Sequence, residues 1–145
     1  MVEEINKEEK TAIPRQLQNA NFRFLLLEPK SKKPIEREWQ KSKNYESSSE
    51  ELRKHLAKGG NYGVLCGQGQ LIVIDADTMM LQEIIQQKLP QTFSVGTGRT
   101  GGVGKHYYYT CDDVKKRILK DGQVHLGEIQ GHGSFVVGPG SIHPN

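Results

Sequence analysis

Asp75 and Asp77 stand two residues apart at the end of Leu71-Ile-Val-Ile-Asp75-Ala-Asp77. Four consecutive apolar residues predict a central strand buried on both faces. Side chains alternate along a strand, so both carboxylates project from one face while Ala76 turns the other way. Two carboxylates this close repel unless something positive sits between them. Mg²⁺ or Mn²⁺, which prefer oxygen ligands and few protein carboxylates, are the economical answer. On these residues alone, a strand ending in two solvated acids at a loop mouth fits equally well. A calcium loop does not fit, because Met79 and Met80 occupy positions that an EF-hand reserves for oxygen donors and glycine.

A second candidate is Thr97-Gly-Arg-Thr-Gly-Gly-Val-Gly-Lys-His106. It is not a Walker phosphate loop. Arg99 stands where the first glycine belongs, His106 replaces the Ser/Thr, and Tyr107-Tyr-Tyr-Thr110 reads as strand where a helix is required. Its glycines still allow backbone N–H groups to approach phosphate oxygens, with Arg99, Lys105 and His106 supplying charge. A plain glycine-rich hairpin connection accounts for the same residues. On a strand His106 and Tyr108 share one face, while Lys105 shares the other with Tyr107 and Tyr109.

Glu128, in His125-Leu-Gly-Glu-Ile-Gln-Gly131, completes a three-carboxylate cage if its strand lies beside Leu71–Asp77. The chain closes with Gly138-Pro-Gly-Ser141-Ile-His143-Pro-Asn145, a loop rich in backbone donors with a hydroxyl and an imidazole. His125, His132 and His143 with Cys111 match no zinc spacing.

The elements that must position these residues are short. Strands are expected at Phe22–Leu27, Tyr62–Cys66, Leu71–Asp77, Phe93–Thr97, Lys105–Thr110, Val124–Ile129 and Ser134–Val137. A helix starts in Ser47-Ser-Ser-Glu-Glu51, with a serine cap and acids in its first turn, runs to Lys58 and stops at Gly59-Gly60. A second covers Met79–Lys88 and ends at Pro90, and a third, short one is expected over Asp112–Lys120, with acids first and bases after. Strands with several antiparallel connections among helices predict an α+β fold rather than a doubly wound sheet.

Composition sets the bounds. The chain has 145 residues, one domain's worth. All 16 glycines follow residue 58. Residues 1–58 carry 13 Lys/Arg against 10 Glu, and residues 59–145 carry seven of each sign, so the net +3 belongs to the first segment. No apolar run approaches the roughly 18–20 residues that span a bilayer, and no signal peptide opens the sequence. Cys66 and Cys111 are too few for a disulfide framework or a four-cysteine zinc site, which suits a reducing, cytoplasmic setting with no membrane partner. Residues 1–20 read as a polar lead-in, frayed or disordered, and residues 21–145 as the folded domain.

The motifs fall in a familiar order: Lys32/Lys33, Pro34 and Trp39; Asn61-Tyr-Gly63-Val64 with Gly67; the Asp-x-Asp pair; Leu89-Pro-x-Thr92; the glycine-rich segment ending in His106; the acidic strand; and Pro-Gly-Ser-Ile-His-Pro. Over roughly residues 20–145 this resembles the N-terminal domain of bifunctional DNA primase/polymerases, in the archaeo-eukaryotic primase superfamily. Such domains occur on plasmids, viruses and integrated elements.

The resemblance implies an RRM-like, mainly antiparallel sheet with flanking helices, plus a small N-terminal α/β unit. It implies that Asp75, Asp77 and Glu128 (where many members have Asp) hold two Mg²⁺ or Mn²⁺ ions. The family's Ser-x-His motif falls on Gly104-Lys105-His106, with glycine in place of the serine and His106 gripping the triphosphate. Lys105, Arg99, Ser141 and His143 become further triphosphate contacts. Implied partners are a single-stranded DNA template and primer, nucleoside triphosphates, and a helicase domain or subunit. The basic stretch Lys30–Lys43 suits template phosphates or plain solvation alike. The chain ends inside a motif that relatives continue, which reads as a domain cut within it.

Two other readings stand beside this one. The first is a non-catalytic nucleic-acid or nucleotide-binding module on the same fold. The second, a replication-initiator endonuclease, wants a His-hydrophobic-His pair that does not occur, and a tyrosine on a helix, whereas Tyr107–Tyr109 reads as strand.

Overall fold

The computed structural model describes residues 13–97 and 103–142. The fold is α+β, with two antiparallel sheets and two α-helices. The chain divides into two compact units, one made by residues up to Leu65 together with the segment from Val136, the other by Cys66–Phe135.

In the first unit, β1 (Arg23–Leu27) pairs antiparallel with β2 (Asn61–Leu65), Phe24 standing opposite Val64. The late strand β8 (Phe135–Val137) joins the other side of β2. Between them α1 (Glu50–Ala57) starts at Ser49, whose hydroxyl accepts from the Leu52 amide at 3.5 Å. Glu50 and Glu51 occupy the first turn, and Gly59 leaves the helix at φ +91°, a conformation glycine adopts without a steric cost. Leu52 from α1 and Phe24, Leu25, Leu27 and Val64 from the strands are fully buried. Ile13 and Leu17, from the segment expected to be a polar lead-in, are buried as well.

One amide ties three segments of this unit together. Asn61 is 2% exposed. Its Nδ2 donates to the carbonyls of Ser31 (3.0 Å) and Ile142 (2.7 Å), and its Oδ1 accepts from the Ile142 amide at 2.9 Å. Replacing it strands those backbone groups. Asn61→Ala is expected to lower unfolding free energy by about 2–3 kcal/mol in urea denaturation; an unchanged midpoint contradicts the account.

The second unit is a five-stranded antiparallel sheet in the order β4-β5-β3-β7-β6. Its strands are β3 (Leu71–Ala76), β4 (Ser94–Gly96), β5 (Lys105–Thr110), β6 (Arg117–Asp121) and β7 (Val124–Gln130). The apolar run Leu71–Ile74 is central and buried, because β5 and β7 flank it. Helix α2 (Met79–Lys88) covers one face. The Thr78 hydroxyl caps it, accepting from the Leu81 amide at 3.3 Å and donating to the Leu126 carbonyl at 3.2 Å. Leu81 and Ile85 pack on Ile74, Ala76, Tyr107 and Leu126. Each such side chain contributes about 1.5–3 kcal/mol by leaving water.

The helix expected over Asp112–Lys120 does not form. Asp113 accepts from the Lys115 amide at 3.0 Å, an Asx turn rather than a helix cap, and the chain then enters β6. Gly122-Gln123, with Gly122 at φ +61°, turns β6 into β7, Asp121 pairing with Val124. A two-residue loop that opens on glycine is a hairpin turn, and it outweighs the acid-then-base pattern.

Candidate active site

The register of β3 builds the site. Asp75 stands opposite His106 on β5 and opposite Glu128 on β7. Directly opposed residues share a face, so the three form one row across the sheet, on the side away from α2. The His106 Nε2 lies 3.4 Å from Asp75 Oδ1, with side chains 14% and 18% exposed. Asp77 follows just beyond β3, its amide donating to the Leu126 carbonyl at 3.2 Å.

His125 gathers the remaining acids. Its Nδ1 is 3.9 Å from Asp77 Oδ2 and its Nε2 is 3.8 Å from Glu128 Oε1. Gln130 Nε2 donates to Glu128 Oε2 at 3.3 Å.

Simple alternation puts Leu126 and Glu128 on one face and His125 on the other. A β-bulge changes this. Leu119 pairs with Gly127 but Lys120 with His125, so Leu126 is an extra residue. Leu126 thereby enters the α2 core while His125 and Glu128 reach the acidic face together. By sequence alone His125 reads only as an ill-spaced zinc ligand. The single hint was a glycine interrupting the alternation, a frequent mark of a bulge.

His106 is in the row. Lys105 faces the other way, opposite Ala76, with its Nζ 5.9 Å from the Tyr107 ring centroid. Ser141 belongs to the first unit, where its hydroxyl accepts from the Tyr62 amide at 3.3 Å. Arg99 and His143 lie outside the described residues. The stem of the glycine-rich connection is described: the Thr97 amide donates to the Gly104 carbonyl at 3.0 Å. The buried Gln82 of α2 donates to the Val103 carbonyl and, at 3.4 Å, to that of Ala76. One side chain thus ties the exit of the glycine-rich segment to the end of β3. The segment leads into β5, a strand, which bears out the exclusion of a Walker loop.

Among the described residues, the thiol and phenols on and beside the sheet are not activated nucleophiles. Burial pushes the Cys66 thiol up to about 12, against a smaller opposing effect of Ser134 and Lys116. Burial also raises Tyr108, whose hydroxyl finds no partner among the described residues. Tyr109 is raised by desolvation and donates to the Pro90 carbonyl at 2.8 Å. None of these is poised for covalent attack at neutral pH.

What the row offers is oxygen ligands and imidazoles. Two like charges about 5 Å apart cost roughly 3 kcal/mol at an effective dielectric of 20, and a divalent cation reverses that sign. Among the described residues no three His, Cys, Asp or Glu side chains converge as a finished cage. Mg²⁺ needs no such cage. It takes one or two protein carboxylates and fills its other positions with water and substrate phosphate, so the donor set fits.

Fold and site together define an α+β domain that presents acids and imidazoles in register on one sheet face. The family model for the bifunctional DNA primase/polymerase N-terminal domain matches residues 15–145, and the chain belongs to that family. At the family level this means DNA priming and polymerisation, with nucleic acid and nucleotides as partners. No curated protein matches the chain. No described helix is long and apolar enough to cross a membrane.

Proposed function

We propose that this chain is a metal-dependent nucleotidyltransferase that makes or extends primers from nucleoside triphosphates on single-stranded DNA, in replication of a plasmid, virus or integrated element. The observation that carries the reading is the row Asp75–His106–Glu128, completed by Asp77 at the end of the same strand. The five-stranded sheet is then the RRM-like element, and the first unit the smaller α/β part.

Asp75, Asp77 and Glu128 would hold the ions, with His125 and Gln130 orienting the last two acids. Mg²⁺ or Mn²⁺ held there would supply charge neutralisation for the triphosphate and acidify the attacking 3′-hydroxyl. The 3′-oxygen bonds to the α-phosphorus, the bond from that phosphorus to the bridging oxygen breaks, pyrophosphate leaves, and the hydroxyl proton passes to water. The protein's part is positioning and electrostatics, so no covalent nucleophile is required. His106, next to Asp75, binds the triphosphate and steadies the charge that develops on it.

His106→Ala is expected to weaken nucleotide binding about tenfold, the worth of one charge-assisted hydrogen bond, without lowering the melting temperature by more than a few degrees. Titration with a fluorescent nucleoside triphosphate in Mn²⁺ checks this, and an unchanged Kd removes His106 from the triphosphate site.

A further inference from the structure

The groups of the candidate site are ordered across the sheet. β4 forms one edge, His106 lies on β5 next to it, Asp75 in the middle, Glu128 beyond, and β6 forms the opposite edge. Nucleotidyl transfer is an in-line displacement, so the attacking oxygen and the departing pyrophosphate lie on opposite sides of the α-phosphorus. A triphosphate held on the His106 side leaves only the Glu128 side for the 3′-hydroxyl. The strand carrying that hydroxyl must then lie over β7 and β6.

We propose that the acidic-face side of β6, through Ile118 and Lys120, seats the 3′-terminal nucleotides of a primer strand; the proposal rests on the nucleotidyl-transfer reading above. Ile118 stands directly opposite Glu128 in the register, and Lys120 opposite His125. Leu119 between them turns to the core. Ile118 is 62% exposed although it sits on an edge strand, where a charged residue is the usual protection against unwanted pairing. An aliphatic side chain next to the third acid suits a sugar and base face, and an ammonium one step further suits the following phosphate. Of the other cation on β6, Arg117, one nitrogen is committed to Asp113 at 2.7 Å, and the residue pairs with Ile129 on the opposite face. Lys120 is therefore the positive charge that β6 presents beside the acids. The occupant is identified by this complementarity and by continuity with the candidate site.

The test measures binding of a fluorescently labelled primer–template with a recessed 3′ end, by anisotropy in Mg²⁺ without nucleotide, at several salt concentrations. Ile118→Asp and Lys120→Glu are each expected to weaken binding about tenfold or more, and Lys120→Ala to reduce the log–log salt slope by about one. Lys88→Glu, the same charge change on α2 behind the sheet, is expected to stay within about twofold. In extension assays the β6 variants should raise the primer–template KM and leave the nucleotide KM unchanged. Unchanged anisotropy, or equal weakening by Lys88→Glu, overturns the proposal. So does a change in oligomeric state without a change in strand binding, which makes the β6 edge a protein interface. Absence of incorporation by the wild-type chain refutes the nucleotidyltransferase reading, and the binding comparison still decides the seat on β6.

Discussion

Asp75→Asn is expected to reduce nucleotide incorporation by about 10³-fold or more while leaving the protein as stable as before, or slightly more so. The two halves of that expectation have one cause. Asp75 stands opposite Glu128 on a half-buried sheet face, with Asp77 two residues further along the chain, and neutralising one carboxylate relieves like-charge repulsion in the folded state. Asn keeps the side chain's shape and can still meet His106. What it loses is the formal charge on the residue that sits between His106 and Glu128 in the register. Single-turnover incorporation together with a thermal melt separates the effects. Full activity in Asp75→Asn removes it from the metal site, and loss of activity with a collapsed melt shows a structural role instead.

The second large effect lies where no chemistry occurs. A Cβ at Gly127 would overlap the Asp75 carbonyl oxygen and come within 2.7 Å of Leu81 Cδ2. The leucine can rotate away, but the carbonyl belongs to the central strand and cannot. Gly127→Ala should force β7 away from β3 just where Asp75 and Glu128 are held in register. Overpacking of this kind costs about 1–3 kcal/mol of stability. A displacement near 1 Å at a reacting constellation costs about 10²-fold in rate. Adding Leu81→Ala is expected not to restore activity, since it removes only the yielding half of the clash. Wild-type incorporation by Gly127→Ala would contradict the close β3–β7 approach.

The sequence revealed the parts of this site that depend on local periodicity. The strand period of two sets Asp75 on the face away from Ala76, and that much is legible from the run Leu71–Asp77. The same rule sets Lys105 opposite to His106, which counts against grouping both at one phosphate. α1 was legible through its serine-and-acid start and its Gly59-Gly60 stop, and α2 through its stop at Pro90, with boundaries within a residue or two. What escaped was long-range or locally contradictory. That Glu128 lies opposite Asp75 is a pairing between residues more than fifty apart, which no local pattern specifies. His125 joins the acids only because a bulge breaks the alternation at Leu126. The segment after Cys111 reads as a helix by charge, yet forms a hairpin because Gly122-Gln123 turns it and β7 offers an edge to pair with.

Metal-dependent nucleotide addition is tested by extension of a labelled primer on a single-stranded DNA template by the wild-type chain, run with Mn²⁺, with Mg²⁺ and with excess chelator. The expected result is nucleotide addition with either or both ions and none in chelator. A cooperatively folded protein that binds nucleotide but adds none under any of these conditions would contradict it and leave a binding module on the primase fold.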